Sequence, residues 1–334
     1  MSERLYIGID LGTYQSTIAS SSGTIHTVET VVGRPKDPVA RNMLKRDVLF
    51  GAEALKHKMS CDLYRPMAKG VTQDDEANLA AAKAFMGHLI ETMDPEEYDE
   101  VVGVVCSPSH VSFTDKSNLV ATLRGQVNAI MVVSEPFATA YGIGEFHGTI
   151  VVDIGAGTTD IARLYGTFPS DDDQLSIAEA GDWLDLHLMD LIRKKYTGAQ
   201  VTKDMVRRWK EASSYVGGDV REVLVDLSVE GKQQRVDIGD LIGEACDALV
   251  PLLGNGIKKT VAGADPEYQE TFRQNIILSG GGSLIEGIAE RLAAEIADIG
   301  NVAVRCVEDP IDKVAVGAVA LAQDMPEDMF TSIE

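Results

Sequence analysis

Short apolar runs, each closed by glycine or by a Ser/Pro turn, recur along this chain. Between them lie segments in which apolar residues return every three or four positions. The first pattern fits strands buried on both faces and the second fits amphipathic helices. Leu5–Asp10 predicts a strand entering a tight turn at Asp-Leu-Gly-Thr, with Thr17–Ser21 and Ile25–Val32 as the next strands of a meander. Val101–Cys106, Ile130–Val133, Thr149–Ile154 and Asn275–Leu278 predict further buried strands. Helices are expected over Ser117–Val127, Pro136–Gly142, Leu184–Lys195 and Met205–Tyr215, and from Gly287 through Ile296. Buried strands alternating with helices give an α/β architecture. Gly33–Asp62 and Asp182–Val250 are more polar and read as insertions into the scaffold, not as core.

One pattern occurs twice. Tyr6-Ile-Gly-Ile-Asp-Leu-Gly-Thr13 and Ile150-Val-Val-Asp-Ile-Gly-Ala-Gly-Thr158 both run from apolar residues through an aspartate to glycine and a hydroxyl. The echo implies two related halves, 1–143 and 144–334, with inserted subdomains at about 33–62 and 182–250.

Composition then narrows the chemistry. The 334 residues are 45% hydrophobic and 25% charged, enough for two ordinary domains, with a net charge of −22. That charge, with only short basic clusters at Arg193–Lys195 and Arg207–Arg208, argues against a nucleic-acid partner. Cys61, Cys106, Cys246 and Cys306 have no CxxC spacing and read as small buried residues of a reducing cytoplasm. Met-Ser-Glu-Arg leads straight into a strand, and no apolar run reaches membrane-span length. The chain is therefore read as cytoplasmic, without signal peptide or membrane insertion.

An acidic chain that binds a polyanion must use backbone amides and a cation. Glycine after aspartate lets the backbone approach a phosphate and point N–H groups at it. Gly12, Thr13, Tyr14 and Gln15 make up the first such hairpin; Gly155, Ala156, Gly157, Thr158 and Thr159 make up the second. Asp10 and Asp153 would repel phosphate, so each is assigned to the water shell of a Mg²⁺. An ordinary hairpin is the competing reading of either copy alone. Ile276-Ile-Leu-Ser-Gly-Gly-Gly-Ser-Leu-Ile285 offers Gly280, Gly281, Gly282, Ser283 and Leu284 as a flat surface for base and ribose, or else a flexible helix start. Glu135 lies between a strand and a helix that opens at Pro136. It is placed to polarise a water attacking a γ-phosphate, or else only to stabilise the helix N-terminus.

In this order the motifs resemble the actin, Hsp70 and sugar-kinase superfamily. Asp10–Thr13 and Asp153–Asp160 look like its two phosphate motifs, and Leu278–Gly282 like its adenosine motif. Ser134–Gly144 and Asp309–Val319 look like its two connecting helices. The resemblance implies an actin-like ATPase fold, two duplicated ribonuclease-H-like domains around a nucleotide cleft, each with a smaller inserted subdomain. It also implies ATP/ADP with Mg²⁺ as ligands, Glu135 as the water-activating catalytic residue, and Asp10 and Asp153 reaching the metal through water. Ala180-Gly181-Asp182 resembles the bacterial actin turn, and Lys210 falls where a lysine contacts the adenosine. Arg207 stands where bacterial actins often carry a ribose-side glutamate, which leaves ATP against GTP open. Thr17 stands in place of a phosphate-contacting lysine.

Val31–Asp37, Phe50–Ala54, Asp62–Gly70 and Pro266–Gln269 leading into Gln274–Ile277 are similar to the magnetosome-associated actins, the MamK family. That likeness implies a homopolymeric filament with slow ATP hydrolysis, organising magnetosomes or similar cargo through adaptor proteins. The alternatives are a rod-shape actin, a chaperone or reactivase, a small-molecule kinase, or a scaffold that forms no filament. The chain ends at Glu334, soon after the second connecting helix, which argues against an Hsp70-type substrate domain. No poised aspartate base and sugar pocket point to a kinase.

Overall fold

The computed structural model describes residues 3–68, 71–72 and 75–333; Met1, Ser2, Lys69, Gly70 and Glu334, which fall in stretches quoted above, lie outside them. The chain divides into two compact units, Met1–Phe146 with Ile311–Glu334, and His147–Pro310. In the first unit β1 (Arg4–Asp10), β2 (Gln15–Ser20) and β3 (Ile25–Glu29) form an antiparallel meander. Then β4 (Val32–Pro35), α1 (Pro38–Leu44), β5 (Leu49–Phe50), α2 (Gly51–Lys56) and β6 (Cys61–Tyr64) build a small sheet, ordered β5-β4-β6, with its own core of Val31, Leu49, Ala54 and Cys61. The expected insertion thus forms a small sheet with a core cluster of its own, while Val32, Phe50 and Tyr64 pack into the main core of the first unit.

After the short pair β7 (Met67–Ala68) and β8 (Val71–Thr72) comes α3 (Glu76–Glu91), a helix the sequence reading missed. β9 (Glu100–Ser107) lies parallel to β1, and β10 (Ala129–Ser134) lies parallel to β9. A central position explains why β9 reads as continuously apolar. α4 (Phe113–Leu123) starts four residues before the expected Ser117, because the Ser112 hydroxyl accepts from the Asp115 N–H and caps it there. It also stops short of Val127, and Gly125 follows at φ +77°. α5 (Glu135–Ile143) ends the segment.

In the second unit β11 (His147–Ile154), β12 (Thr159–Tyr165) and β13 (Gln174–Ile177) are antiparallel. There follow α6 (Gly181–Lys195), β14 (Ala199–Gln200), α7 (Lys203–Ser213), β15 (Leu224–Val229), β16 (Lys232–Asp237) and α8 (Gly239–Ala262). α9 (Gln269–Arg273), β17 (Ile276–Ser279), α10 (Ile288–Glu295) and β18 (Val304–Cys306) complete it, with the main sheet ordered β13-β12-β11-β17-β18. The expectation that Asp182–Val250 is not core is overturned. Leu184, Leu188 and Ile192 of α6 and Leu241, Ile242, Cys246, Leu249 and Leu253 of α8 fill the centre of this unit. In α6 the solvent-facing polar residues dilute the segment's average and hide a buried stripe. α8 also crosses the expected boundary at 250 and runs on through Pro251.

Residues 311–334, assigned by the sequence reading to the second half, join the first unit. α11 (Lys313–Asp324) packs on α5 and β1, and β19 (Thr331–Ser332) pairs with β10. The packing is backbone on backbone. A Cβ on Gly317 would stand 1.9 Å from the Ala138 carbonyl oxygen, and one on Gly142 2.7 Å from Gly317 Cα. Such long-range pairing leaves no trace in local spacing. Among the described residues no helix is long and apolar enough to cross a membrane. Cys61, Cys106 and Cys246 are buried, but Cys306, expected to be buried, is exposed on the edge strand β18.

Candidate functional site

Three parallel strands of the first unit end together. Asp10 closes β1 opposite Cys106 of β9, and Ser107 of β9 lies opposite Ser134 of β10, the residue before Glu135. Asp10 and Glu135 therefore lie two strand spacings apart at one sheet edge, roughly 10 Å. The carboxyl ends of parallel strands are where α/β sheets characteristically hold ligands. The first hairpin is fixed from below: Thr30 donates from its hydroxyl to the Gly12 carbonyl at 2.8 Å and from its N–H to the Tyr14 carbonyl at 2.7 Å. A Cβ on Gly12 would meet the Gln15 carbonyl oxygen at 2.2 Å, so the turn requires glycine. Thr13, Tyr14 and Gln15 are half-buried, with the Arg65 guanidinium 5.9 Å from the centre of the Tyr14 ring. Thr17 is buried and its hydroxyl meets that of Thr27 at 2.9 Å, so it takes no part at this edge. Glu135 is the first residue of α5 and is buried.

The second hairpin has the same outline and a drier setting. Gly155 N–H bonds to the Thr158 carbonyl at 3.0 Å, and the carbonyls of Gly155 and Ala156 accept from the N–H groups of Gly181 and Asp182 at the start of α6. Asp153 lies beside Ser279 of β17 and across from Asp160 of β12, all three buried. Burial, the chief cause, and the Asp160 carboxylate push the Asp153 carboxyl up to about 7 against a hydrogen bond from Ser279. Asp153 Oδ2 has no hydrogen-bond partner among the described residues. A buried carboxylate oxygen in that state fits a water of a hydrated cation.

The glycine surface closes on the same place. Gly280 has φ +73°, and a Cβ there would stand 2.7 Å from Asp153 Oδ1; one on Gly282 would stand 2.2 Å from Ile154 Cγ2. Gly281 faces open space and Leu284 is exposed, whereas Ser283 is buried and donates to the Gly280 carbonyl at 2.7 Å. Thr159 is likewise turned inward, its hydroxyl given to the Glu179 carbonyl at 2.8 Å, so Thr159 and Ser283 offer a ligand backbone only.

Lys210 of α7 reaches the start of α6, beside the second hairpin. Its ammonium donates to the Gly181 carbonyl at 2.9 Å and pairs with the fully buried Asp185 at 2.7 Å. Arg207 bonds Asp185 at 3.0 Å and Asp182 at 2.6 Å, and Lys203 pairs with Asp182 at 2.8 Å. Arg207 is thus a strut between α6 and α7, and Trp209 packs against the core of this unit.

Asp160 and Asp185 are the residues that sequence reasoning passed over. A signal existed for both. Asp153 and Asp160 are equidistant from the centre of the hairpin, which makes them cross-strand neighbours. Asp182 and Asp185, and Lys203, Arg207 and Lys210, follow helical spacing. In sum, the structure places Asp10 to Gln15 and Glu135 along one edge of the first unit. It gathers Asp153, Gly155 to Thr159, Gly181, Asp182, Lys210 and Gly280 to Leu284 in the second.

Comparison with known proteins gives this geometry its family. The description "MreB/Mbl protein" matches residues 4–329. The actin-like protein MamK of Magnetospirillum gryphiswaldense is 35% identical over 97% of this chain and 90% of its own length. A solved MamK double helical filament superimposes with a TM-score of 0.93 at 34% identity, over 97% of this chain and 100% of that one. A non-polymerising MamK mutant bound to AMPPNP gives 0.76 at 33% identity, over 97% of this chain and 100% of that one. The fold is actin-like, and the chain belongs to the MreB/Mbl family.

Proposed function

We propose that this chain is a cytoplasmic, polymerising actin-like ATPase that binds ATP with Mg²⁺ and hydrolyses it slowly as filaments turn over. The observation that carries the reading is the pair of Asp–Gly hairpins, each at the carboxyl end of a parallel strand in its own unit. The AMPPNP held by a MamK mutant and the filament formed by MamK support nucleotide binding and homopolymerisation. Asp10 in the first unit and Asp153 in the second would each hold water of a bound Mg²⁺, and that ion would supply charge neutralisation at the phosphates. The N–H groups of Gly12 to Gln15 and of Ala156 to Thr159 cradle the phosphates, with Gly155 closing the second turn. Gly181, Asp182, Lys210 and Gly280 to Leu284 carry the nucleoside. Glu135 orients the attacking water, so catalysis is positioning and charge stabilisation, without a covalent intermediate. The likeness to MamK is the ground for proposing that this chain organises magnetosomes or comparable cargo, through adaptor proteins, and the net charge of −22 argues against a nucleic-acid partner.

Sedimentation with and without ATP and Mg²⁺, with phosphate release followed in parallel, tests this. The expected result is a pellet only with both ligands and phosphate appearing after assembly. Absence of calorimetric ATP binding, or of any polymer by negative stain at tens of micromolar protein, refutes it.

A further inference from the structure

The glycine surface and α7 are spliced together at one residue, Glu286. Its N–H donates to the Ser214 carbonyl at 3.3 Å, and its carbonyl accepts from the Val216 N–H at 2.9 Å. A Cβ on the next residue, Gly287, would stand 2.9 Å from the Val216 carbonyl oxygen, so the two segments meet main chain to main chain. Arg221 closes the splice from outside. Its guanidinium donates two hydrogen bonds to the Glu286 carboxylate, at 2.7 and 2.6 Å, and lies 4.6 Å from the centre of the Tyr215 ring. Tyr215 is buried. Its hydroxyl accepts from the Arg221 N–H at 3.3 Å and donates to the Gly239 carbonyl, at the start of α8, at 3.0 Å. Around Arg221 the loop is open: a Cβ on Gly217 or Gly218 would meet nothing within 4 Å, and Asp219, Val220 and Glu222 are exposed.

Resting on the nucleotide reading above, we infer that Arg221 and Glu286 are positioning residues for the nucleoside: their ion pair fixes the spacing between Lys210 on α7 and the Gly280–Leu284 surface. Both elements assigned to the nucleoside run into this splice. α7 ends at Ser213, next to the Ser214 carbonyl that Glu286 bonds, and the glycine surface ends at Leu284, two residues before Glu286. Two hydrogen bonds at one residue define an axis about which the segments still turn. A planar guanidinium, forked onto a carboxylate and backed by an aromatic ring, stops that turn. At 46% and 67% side-chain exposure the pair adds little to folding stability, so what it supplies is geometry. Lysine at position 221 would keep the charge and lose both the fork and the stack.

The test is a charge swap in the full chain, read by calorimetric ATP affinity with Mg²⁺ and by phosphate release at saturating ATP. Arg221→Glu and Glu286→Arg, each of which sets like charges face to face, are expected to weaken ATP binding about fivefold. Turnover at saturation is expected to stay within about twofold of the parent, because Glu135 and the phosphate hairpins lie on other elements. The double variant Arg221→Glu/Glu286→Arg remakes the pair in the opposite sense and is expected to regain most of the lost affinity. Parental affinity in both single variants overturns the inference. So does a double variant no better than the singles, which would mean that the two residues do not act as a pair. A loss of turnover at saturation as large as the loss of affinity also overturns it, since that marks a general lesion. A parent that binds no ATP instead fells the nucleotide reading itself, and this inference with it.

Discussion

The two Asp–Gly hairpins share a motif and differ in what faces the aspartate. Across from Asp10 the antiparallel partner is Thr17, a neutral residue bonded to Thr27. Across from Asp153 it is Asp160, a second buried carboxylate. Asp10 is partly open to water, whereas Asp153 is covered by Ser279 and the Gly280 turn. One local pattern thus supports two electrostatic settings, and the cross-strand register decides between them. The dry setting makes an ionised carboxylate costly; the wet one leaves it solvated.

The largest expected effect attacks the dry side. Gly280→Ala adds a Cβ at a positive φ and 2.7 Å from Asp153 Oδ1, and should destabilise by about 3 kcal/mol in denaturant titration. Gly12→Ala tests the wet counterpart. Its Cβ meets a carbonyl in a turn open to solvent, and we expect a smaller loss, about 2 kcal/mol. Equal losses would erase the distinction. Next comes chemistry: Glu135→Gln should lower kcat about 100-fold with little change in KM, measured by phosphate release.

Acidity sharpens the contrast further. Asp153 is raised to about 7 in the folded chain from 3.8, so its protonation favours the folded state. That stability is complete below pH 4 and is lost as pH rises through 7. The ligand-free parent should therefore lose on the order of 2 kcal/mol between pH 5 and pH 8, and Asp153→Asn should not. Smallest is Thr30→Val, which removes one hydroxyl beneath Gly12 and should cost about 1 kcal/mol by thermal melting.

Both hairpins were legible because a strand, an acid and a glycine turn are local, and their recurrence is visible by eye. So was the place of the small sheet β5-β4-β6, though not its share in the main core of the first unit. What could not be read needed distance along the chain. Asp160 matters through register, Asp185 through two helices lying side by side, and α11 through a return of about 300 residues to β1. α8 hid for the opposite reason. A helix buried along so much of its length shows little period, and Pro251 and four glycines within it look like breaks.

The glycine crossing of α5 and α11 has a mechanical corollary. Where main chains touch with no side chains between them, there are no rotamers to absorb a displacement, so a shove on one helix is handed to the other undamped. Glu135 heads α5, about 10 Å up the axis from Gly142. A methyl group added at Gly317 would thus misaim the Glu135 carboxylate, proposed above to orient the water, from afar and with that carboxylate still in its native chemical form.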